Sequence, residues 1–359
     1  MEIVVFGAGS LGSLIGGILS TEHSVTLVAR QPHAETIESN GLRIDGVLGG
    51  GIDPTDNDLE GRENDHDGDI MGEADGTGHG SEGQADDDSG DGREGGEDGG
   101  VDDSGQEAEG LLVEPAATTD GTGLTAELAL VTVKTFDTET AANALATGEY
   151  DAVCSLQNGL GNEAILAEHV DATVLAGTAT YGALLREPGV VECTGVGDVV
   201  VGSRDGGPSA MADRVGSAFE AAGLRTIVAE DMPRRLWKKL AINAGINATT
   251  ALARVENGAL VDGPATPIAR TAARETARVA TQAGVDLAEE TAAEAVESVA
   301  AATASNDSSM LQDVQAGRQT EIEAINGVVA ERGSEHGVET PVNATLAGLI
   351  GAWEAKNVD

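Results

Sequence analysis

A polar face interrupts an apolar stretch in the C-terminal half of the chain. Lys239, Asn243 and Asn247 recur every four residues within positions 236–247, whose other members are largely apolar. In an α-helix this spacing places all three side chains on one face. Buried asparagines need hydrogen-bond partners or a ligand, and a lysine with a lowered pKa can donate a proton. The segment therefore predicts a catalytic helix, although a solvated lysine beside two asparagines bonded within the core fits the same spacing.

A glycine-rich turn near the N-terminus has the spacing of a dinucleotide-binding fingerprint. It lies between apolar runs at 2–6 and 11–19 and reads Gly7-Ala8-Gly9-Ser10-Leu11-Gly12. In such a turn the first glycine permits the bend, the second lets the backbone approach a pyrophosphate, and the third allows close packing of helix and strand. Free N–H groups at the start of the following helix attract the phosphates. We expect a dinucleotide site here rather than a purely structural turn.

Arg30 follows the second apolar run, where dinucleotide-binding domains select their cofactor. NAD sites usually place an acidic residue at this point to bond the ribose hydroxyls, whereas an arginine suits the 2′-phosphate of NADP. Arg30 therefore predicts NADP, in its reduced form NADPH, as the cofactor. An ordinary surface arginine, in a protein that accepts either cofactor, is the alternative.

The elements around these residues change character near position 230. Before it, short β-branched runs alternate with helical patches, and after it one helical pattern follows another. This pattern predicts an α/β fold, with an N-terminal Rossmann-type doubly wound domain at 1–230 and an all-α C-terminal domain at 231–359. Strands are predicted at 2–6, 24–30, 42–45, 111–113, 128–134, 152–156, 173–176 and 199–202. Helices are predicted at 11–19, 233–253, 264–283, 288–304, 310–335 and 342–356.

A strongly acidic segment divides the N-terminal domain. Residues 53–110 contain 22 acidic residues, 15 glycines and two arginines, with few apolar side chains. Such a composition cannot bury enough surface to offset the entropy of ordering, so we expect a disordered insertion at about 50–110. The runs at 42–45 and 111–113 can pair across it, which makes the insertion the tip of a hairpin.

Net charge excludes several classes of partner. The chain carries 62 acidic against 20 basic residues, for a net charge of -42. Nucleic acids and anionic membranes both require a basic surface, so neither is an expected partner. Few lysines and aromatic residues, with an acidic excess that persists outside 53–110, favour a protein from a halophilic cytoplasm.

Two isolated cysteines, Cys154 and Cys193, fit a reducing compartment and form no thiolate metal motif, so no metal site is predicted. The N-terminal apolar run has no basic residues before it and is not a signal peptide. The chain contains no apolar run of the length that a membrane span requires.

Several motifs together resemble one enzyme family. Beside the glycine turn with Arg30 and the helix at 236–247 stand Val131-Thr132-Val133-Lys134, Leu156-Gln157-Asn158-Gly159-Leu160-Gly161 and the paired segments 308–313 and 318–327. Outside residues 50–110 the chain resembles the 2-dehydropantoate 2-reductase family, also called ketopantoate reductase. These enzymes reduce 2-dehydropantoate (ketopantoate) to pantoate with NADPH, in pantothenate and coenzyme A biosynthesis.

The resemblance implies a role for each matching residue. Lys239 would be the general acid, and Glu321 would orient the lysine or the cofactor. Substrate contacts would come from Asn158, Lys239, Asn243, Asn247, Asn257, Asn306 and Ser309, with Ser309 bonding the substrate carboxylate. Cofactor contacts would come from the glycine turn, Arg30, Lys134, Asn158, Ala183 and Glu321.

The physical pattern around Ser309 agrees with these roles. Ser309 and Gln312 have the S-x-x-Q spacing of a capping box that opens a helix, and a helix N-terminus suits a bound carboxylate. We expect Glu321 three turns further along the same helix, as a half-exposed carboxylate. Pure capping by Ser309 and a solvated Glu321 are the structural alternatives.

Two other functions remain open. A related reductase with the same plan would act on another 2-oxo acid or on a polyol phosphate. A non-catalytic NADP-binding sensor would keep the fold, but the presence of both Lys239 and Glu321 disfavours it. In every case the expected partner is a small molecule, and a homodimer is the candidate assembly.

Overall fold

The structure is a computed structural model that describes residues 1–47 and 110–358. The strands are β1 (Glu2–Phe6), β2 (Ser24–Val28), β3 (Leu42–Gly46), β4 (Leu111–Val113), β5 (Ala116–Thr118), β6 (Thr125–Val131), β7 (Glu149–Ser155), β8 (Thr173–Ala179), β9 (Gly182–Glu187), β10 (Val190–Gly195), β11 (Val199–Ser203) and β12 (Thr226–Ala229). The α-helices are α1 (Ser10–Leu19), α2 (His33–Asn40), α3 (Thr138–Leu145), α4 (Asn162–His169), α5 (Ala210–Ala221), α6 (Met232–Ala253), α7 (Thr266–Gln282), α8 (Glu289–Ala302), α9 (Ser309–Gln315), α10 (Val328–His336) and α11 (Pro341–Asn357). The predicted disordered insertion lies outside the described residues.

An eight-stranded sheet organises the N-terminal region, in the order β12-β11-β8-β7-β6-β1-β2-β5. β1 lies between β2 and β6 and runs parallel to both. Ile3 and Val5 pack into one hydrophobic cluster with α1, whereas Val4 and Phe6 pack into another with α3. A strand covered on both faces must be apolar throughout, which explains the uninterrupted run at 3–6. This sheet confirms the predicted Rossmann-type doubly wound domain.

A second, four-stranded sheet has the order β4-β3-β10-β9. The predicted hairpin pairing is confirmed, since Leu42 lies opposite Val113 and Ile44 opposite Leu111. The sequence prediction missed β9 and β10, together with β5 and β12 of the larger sheet. β9 and β10 carry charged residues and are only partly buried, so they lack the apolar run that identified most of the other strands.

Small side chains allow the helices of the C-terminal region to approach closely. Alanines of α6 and α7 lie in one buried cluster with Leu240 and Val296. At Gly245 a Cβ atom would lie 2.8 Å from the carbonyl oxygen of Ala269, so α6 and α7 pack almost backbone to backbone there. The helical character of the region confirms the all-α prediction.

The predicted helix at 310–335 is wrong as a single element. α9 ends at Gln315, Gly317 adopts a left-handed φ of 65°, and a π-helical segment, Glu323–Gly327, precedes α10. Glycine is the residue that enters this conformation without strain, and the Arg318 N–H closes the turn by donating to the Asp313 carbonyl (2.9 Å). Glu321 therefore lies beyond a break rather than along α9.

The last strand ends at Ala229, and α6 begins at Met232 with proline at its second position. The division into domains at 1–230 and 231–359 remains a prediction. Within the described ranges, no helix has both the length and the apolarity needed to cross a membrane.

Candidate active site

The glycine turn has the geometry that its sequence predicts. Gly7 has a φ of 98°, and a Cβ atom on it would lie 2.6 Å from the Val133 backbone nitrogen. A Cβ atom on Gly12 would collide with the Gly7 carbonyl oxygen. At Gly9, by contrast, the nearest atom would be 3.9 Å away, so the backbone there is open on its outer side. α1 carries no acidic residue in its first turn, so the helix itself presents no carboxylate to a phosphate bound at its N-terminus.

The other residues of the turn belong to the scaffold. Ala8 is buried, and its N–H donates to the Val28 carbonyl (3.0 Å), which ties the turn to the end of β2. The Ser10 hydroxyl accepts a hydrogen bond from the Leu185 N–H of β9 (3.1 Å). Leu11 packs against the hydrophobic cluster that contains the buried residues of α1. The turn is thus held from both sheets.

Arg30 lies two residues beyond the end of β2 and is 87 % exposed. Its guanidinium group forms an ion pair with Asp137 (2.7 Å), which follows β6 in the chain. The side chain therefore stands at the carboxyl edge of the sheet, free to turn toward a ligand at modest cost. Its role as cofactor selector remains a prediction.

Lys239 projects from α6 into an environment of two carboxylates. Burial lowers the pKa of its ammonium group to about 8, and the nearby charges of Glu321 and Glu163 oppose that shift. A group with this pKa is mostly protonated at neutral pH and still gives up its proton readily, as a general acid must. Glu163, on α4, is itself buried, and desolvation raises the pKa of its carboxyl group.

Asn243 and Asn247 extend the Lys239 face along α6. Asn243 is half-buried, while Asn247 is buried and directs its amide nitrogen toward the Ser309 hydroxyl at 3.5 Å. The predicted face of α6 thus meets the start of α9.

Glu321 is a buried carboxylate with several hydrogen-bond partners rather than the expected half-exposed one. Its Oε1 accepts hydrogen bonds from both the N–H and the hydroxyl of Thr135, each at 2.9 Å. Its Oε2 accepts one from the Asn158 amide (2.9 Å) and lies 3.9 Å from Lys134 Nζ. One carboxylate therefore joins the ends of β6 and β7 to the helical region. The half-exposed prediction failed because the break after α9 turns this residue inward.

The capping prediction at Ser309 is wrong by one position. Ser308 is the N-cap of α9, and its hydroxyl accepts from the Leu311 N–H (3.1 Å). Gln312 donates to the Asp307 carbonyl instead of completing a capping box. Ser308 is buried against Thr250, whereas Ser309 is exposed. Because its neighbour caps the helix, Ser309 keeps its hydroxyl available for a ligand.

Asn257 and Asn306 are tied together at the far end of this face. The Asn257 N–H donates to the Asn306 carbonyl (3.0 Å), and its amide nitrogen donates to Thr303 (2.9 Å). The Asn257 Oδ1 is buried and has no hydrogen-bond partner among the described residues. A buried acceptor without a partner is costly, which is consistent with a polar ligand at this point. Asn306 is exposed.

A cleft of about 530 Å³ opens beside these residues. It is bordered on one side by Leu184 of β9 and on the other by residues around α9. Ala183 precedes Leu184, is paired with Cys193 of β10 and packs against the cluster that holds α1. The expected contact of Ala183 with nicotinamide remains a prediction. The residues that line the cleft are Leu184, Glu256, Ser305, Asp307, Gln312, Gln315, Ala316 and Arg318.

Three residues at this site were not predicted: Thr135, Glu163 and Asp313. Thr135 holds Glu321, Glu163 acts on Lys239, and Asp313 binds Lys134 (2.6 Å). Each lies next to or within a matched motif, so proximity along the chain was the available signal. The described residues contain no cluster of His, Cys, Asp or Glu suited to a metal ion.

Comparison with known proteins identifies the family. The model described as "Ketopantoate reductase PanE/ApbA" matches residues 3–69 and 97–206, and its C-terminal counterpart matches 231–354. The chain belongs to the ketopantoate reductase family. A 2-dehydropantoate 2-reductase of Halobacterium salinarum is 38% identical over 98% of both chains. One from Archaeoglobus fulgidus is 43% identical over 64% of this chain and 77% of its own.

Solved structures agree with this membership. A PanE/ApbA family ketopantoate reductase from Ralstonia eutropha superposes with a TM-score of 0.76, at 26% identity over the whole of both chains. A D-mandelate dehydrogenase with NADH and anilino(oxo)acetate reaches 0.78 over 99% of this chain and 98% of its own. Its identity of 20% makes that likeness one of fold alone. The predicted resemblance is confirmed.

Proposed function

We propose that this protein is a 2-dehydropantoate 2-reductase, an oxidoreductase that reduces 2-dehydropantoate to pantoate with NADPH. The observation that carries the proposal is the environment of Lys239. Burial lowers the pKa of its ammonium group to about 8, and the charges of Glu321 and Glu163 oppose that shift. The family membership and the names of the relatives support the substrate. We place the reaction in coenzyme A biosynthesis, in the cytoplasm of a halophilic cell.

The proposed cofactor site is the glycine turn and the adjoining edge of the sheet. The open backbone at Gly9 would receive the pyrophosphate, because no side chain of residues 1–47 or 110–358 fills that space. Arg30 would bind the 2′-phosphate of NADPH, and Lys134 with Asn158 would hold the part nearer the nicotinamide, which Ala183 would flank. Glu321 would keep both strand ends in position through Thr135 and Asn158. When bound, NADPH supplies the hydride that the substrate carbonyl carbon receives.

The protein's own contribution is a proton and a fixed substrate. Lys239 would donate its proton to the carbonyl oxygen as the carbonyl carbon is reduced, which yields the hydroxyl group of pantoate. The neutral amine left behind is reprotonated from water. Because the pKa is about 8, the lysine starts protonated at neutral pH.

The substrate would lie along α6 and reach the start of α9. Asn243 and Asn247 would bond the substrate, and the Ser309 hydroxyl, which accepts from the Asn247 amide, would donate to the substrate carboxylate. The Oδ1 of Asn257 has no hydrogen-bond partner within the part of the chain that the structure describes, and it would accept from a substrate hydroxyl. Asn306 would close that end of the site. Hydrogen bonds of this kind discriminate strongly, since an analogue that lacks the bonding group leaves a buried polar atom unpaired.

The test is turnover with three substrates. Oxidation of NADPH is followed at high KCl with 2-dehydropantoate, pyruvate and 2-oxoisovalerate, and is repeated with NADH. We expect kcat/KM to be highest for 2-dehydropantoate with NADPH. A preference for another 2-oxo acid would support the related-reductase alternative, and NADPH binding without turnover would support a sensor. Light scattering on the same preparation tests the homodimer.

A further inference from the structure

Asp313 lies where the sheet and the helical region meet, and it has no role in the function proposed above. Its carboxylate is 4 % exposed. Oδ2 accepts a hydrogen bond from Lys134 Nζ (2.6 Å), and Oδ1 accepts from the Arg318 guanidinium group through Nε (3.1 Å), with Nη2 also at 3.1 Å. One buried carboxylate thus binds two cations, one through each oxygen.

The two cations are far apart in sequence and differ in origin. Lys134 follows β6 of the sheet, 179 residues before Asp313, whereas Arg318 belongs to the turn that ends α9. Burying a carboxylate is costly unless it is paired and fully hydrogen-bonded. Both partners here are needed for that, and both keep one side toward solvent, at 39% exposure for Lys134 and 60% for Arg318. Asp313 therefore holds the cations without enclosing them.

The position of Lys134 relative to Glu321 depends on this contact. Lys134 Nζ is 2.6 Å from Asp313 but 3.9 Å from Glu321 Oε2, which the Asn158 amide already occupies. Without the Asp313 charge, Glu321 would be the nearest carboxylate to Lys134. The lysine would then pair with Glu321 and screen the charge that Glu321 exerts on Lys239.

We propose that Asp313 is a positioning residue that fixes Lys134 at the edge of the dinucleotide site and keeps it apart from Glu321. The inference rests on the proposed function, since it assumes that Lys134 contacts the cofactor. In this inference Asp313 acts through Lys134, which it binds directly.

The test is a double-mutant cycle of NADPH affinity, with thermal melting of each protein. Asp313→Asn and Lys134→Met should each raise the Kd for NADPH about tenfold or more, and the double variant should resemble either single one. Asp313→Glu, which retains the charge, should recover most of the affinity. The control is Glu290→Gln, since Glu290 also binds two arginines, Arg270 and Arg274, but at the exposed surface between α7 and α8. Its Kd should stay within about twofold of the wild type.

The outcomes separate the inference from the function beneath it. Additive effects of the two substitutions, or an unchanged Kd in folded Asp313→Asn, would overturn the positioning role. Coupling in melting temperature alone would also overturn it and make the pair purely structural. If Asp313→Asn does not fold, the cycle uses Asp313→Ser, which also removes the charge and should weaken binding only while Lys134 is present. A wild type that binds neither NADPH nor NADH would overturn the proposed function itself.

Discussion

The two halves of the candidate site are built in different ways. On the cofactor side, six consecutive residues, 7–12, make the turn through backbone conformation, and one glycine leaves the open space. On the acid side, Glu321 reaches 186 residues back along the chain to Thr135, and Asn247 meets Ser309 from another helix. The first half depends on local geometry and the second on packing between regions. Substitutions on the two sides should therefore alter different quantities.

The largest effect is expected for the acid itself. Lys239→Ala should lower kcat by about 10²–10⁴ while NADPH still binds, because only the proton donor is lost. Lys238→Ala is the matched control, since Lys238 is the exposed neighbour on the same helix and should keep normal turnover. Stopped-flow oxidation of NADPH measures both variants. Near-normal turnover of Lys239→Ala would show that Lys239 is not the general acid.

Glu321→Gln should show how much the pKa of Lys239 depends on the charge of Glu321, a residue distant in sequence. The Glu321 carboxylate raises the pKa of Lys239 against the effect of burial, so its loss should move that pKa below about 8. Since the lysine must be protonated, activity falls as pH rises through its pKa, and the alkaline limb of kcat should shift to lower pH. The pH profile of kcat measures the shift.

The same substitution should also lower stability. Thr135 and Asn158 lose a charged acceptor in a buried setting, which costs about 1–3 kcal/mol per group left unsatisfied. Glu323→Gln is the control, because Glu323 is exposed in the same segment. If the alkaline limb of kcat does not shift and the melting temperature is unchanged, Glu321 neither raises the pKa of Lys239 nor stabilises the fold.

Arg30→Asp should act on the cofactor side alone. The 2′-phosphate of NADPH would lose its partner and meet a carboxylate, so the NADPH/NADH ratio of kcat/KM should fall about tenfold or more. The pH limb set by Lys239 should not move. Arg43→Asp, on β3, is a control with another exposed, ion-paired arginine. If the ratio stays constant, Arg30 is not the selector.

His33 offers a smaller test of the cofactor side, through stability. Its Nδ1 accepts from the Gly189 N–H (2.9 Å), so Nε2 carries the hydrogen that reaches the Ser13 hydroxyl (2.9 Å). Burial lowers its pKa from 6.5, so the unfolded chain takes up the proton first as pH falls. Neutral His33 makes its full contribution to stability above about pH 6.5, and this contribution is lost as the pH drops below that value toward the lowered pKa of the folded state.

Melting temperatures between pH 5 and 8 measure this loss. Wild-type protein and a control, His336→Gln, should lose stability below pH 6.5 more steeply than His33→Gln, because His336 is exposed. Parallel curves for all three proteins would show that protonation of His33 does not lower the stability of the protein.

The smallest effect on turnover is expected from deletion of residues 53–110. The deletion joins the ends of β3 and β4 with a short turn, which changes loop-closure entropy by about 1–2 kcal/mol. We predict that kcat stays within about twofold and that molar KCl is still needed for folding, since much of the negative charge lies elsewhere. Melting and turnover across a KCl series measure both. Loss of activity in a folded deletion variant would assign this segment a part in the site.

Local rules accounted for the elements whose pattern is complete within one segment. The apolar run at 2–6, the turn at 7–12 and the four-residue spacing of Lys239, Asn243 and Asn247 are each recognisable within one strand, turn or helix. The pairing of 42–45 with 111–113 was predictable for another reason, since the two short strands flank one insertion.

The sequence by itself therefore determined the fold class, the conformation of the glycine turn and the polar face of α6. Only the tertiary structure decided that Ser308 rather than Ser309 caps α9, that the chain turns at Gly317, and that Glu321 is buried. It also decided the contact of Asp313 with Lys134. The physical reason is range: secondary structure repeats every two or 3.6 residues, whereas a buried charge is stable only where packing brings its partners from distant parts of the chain.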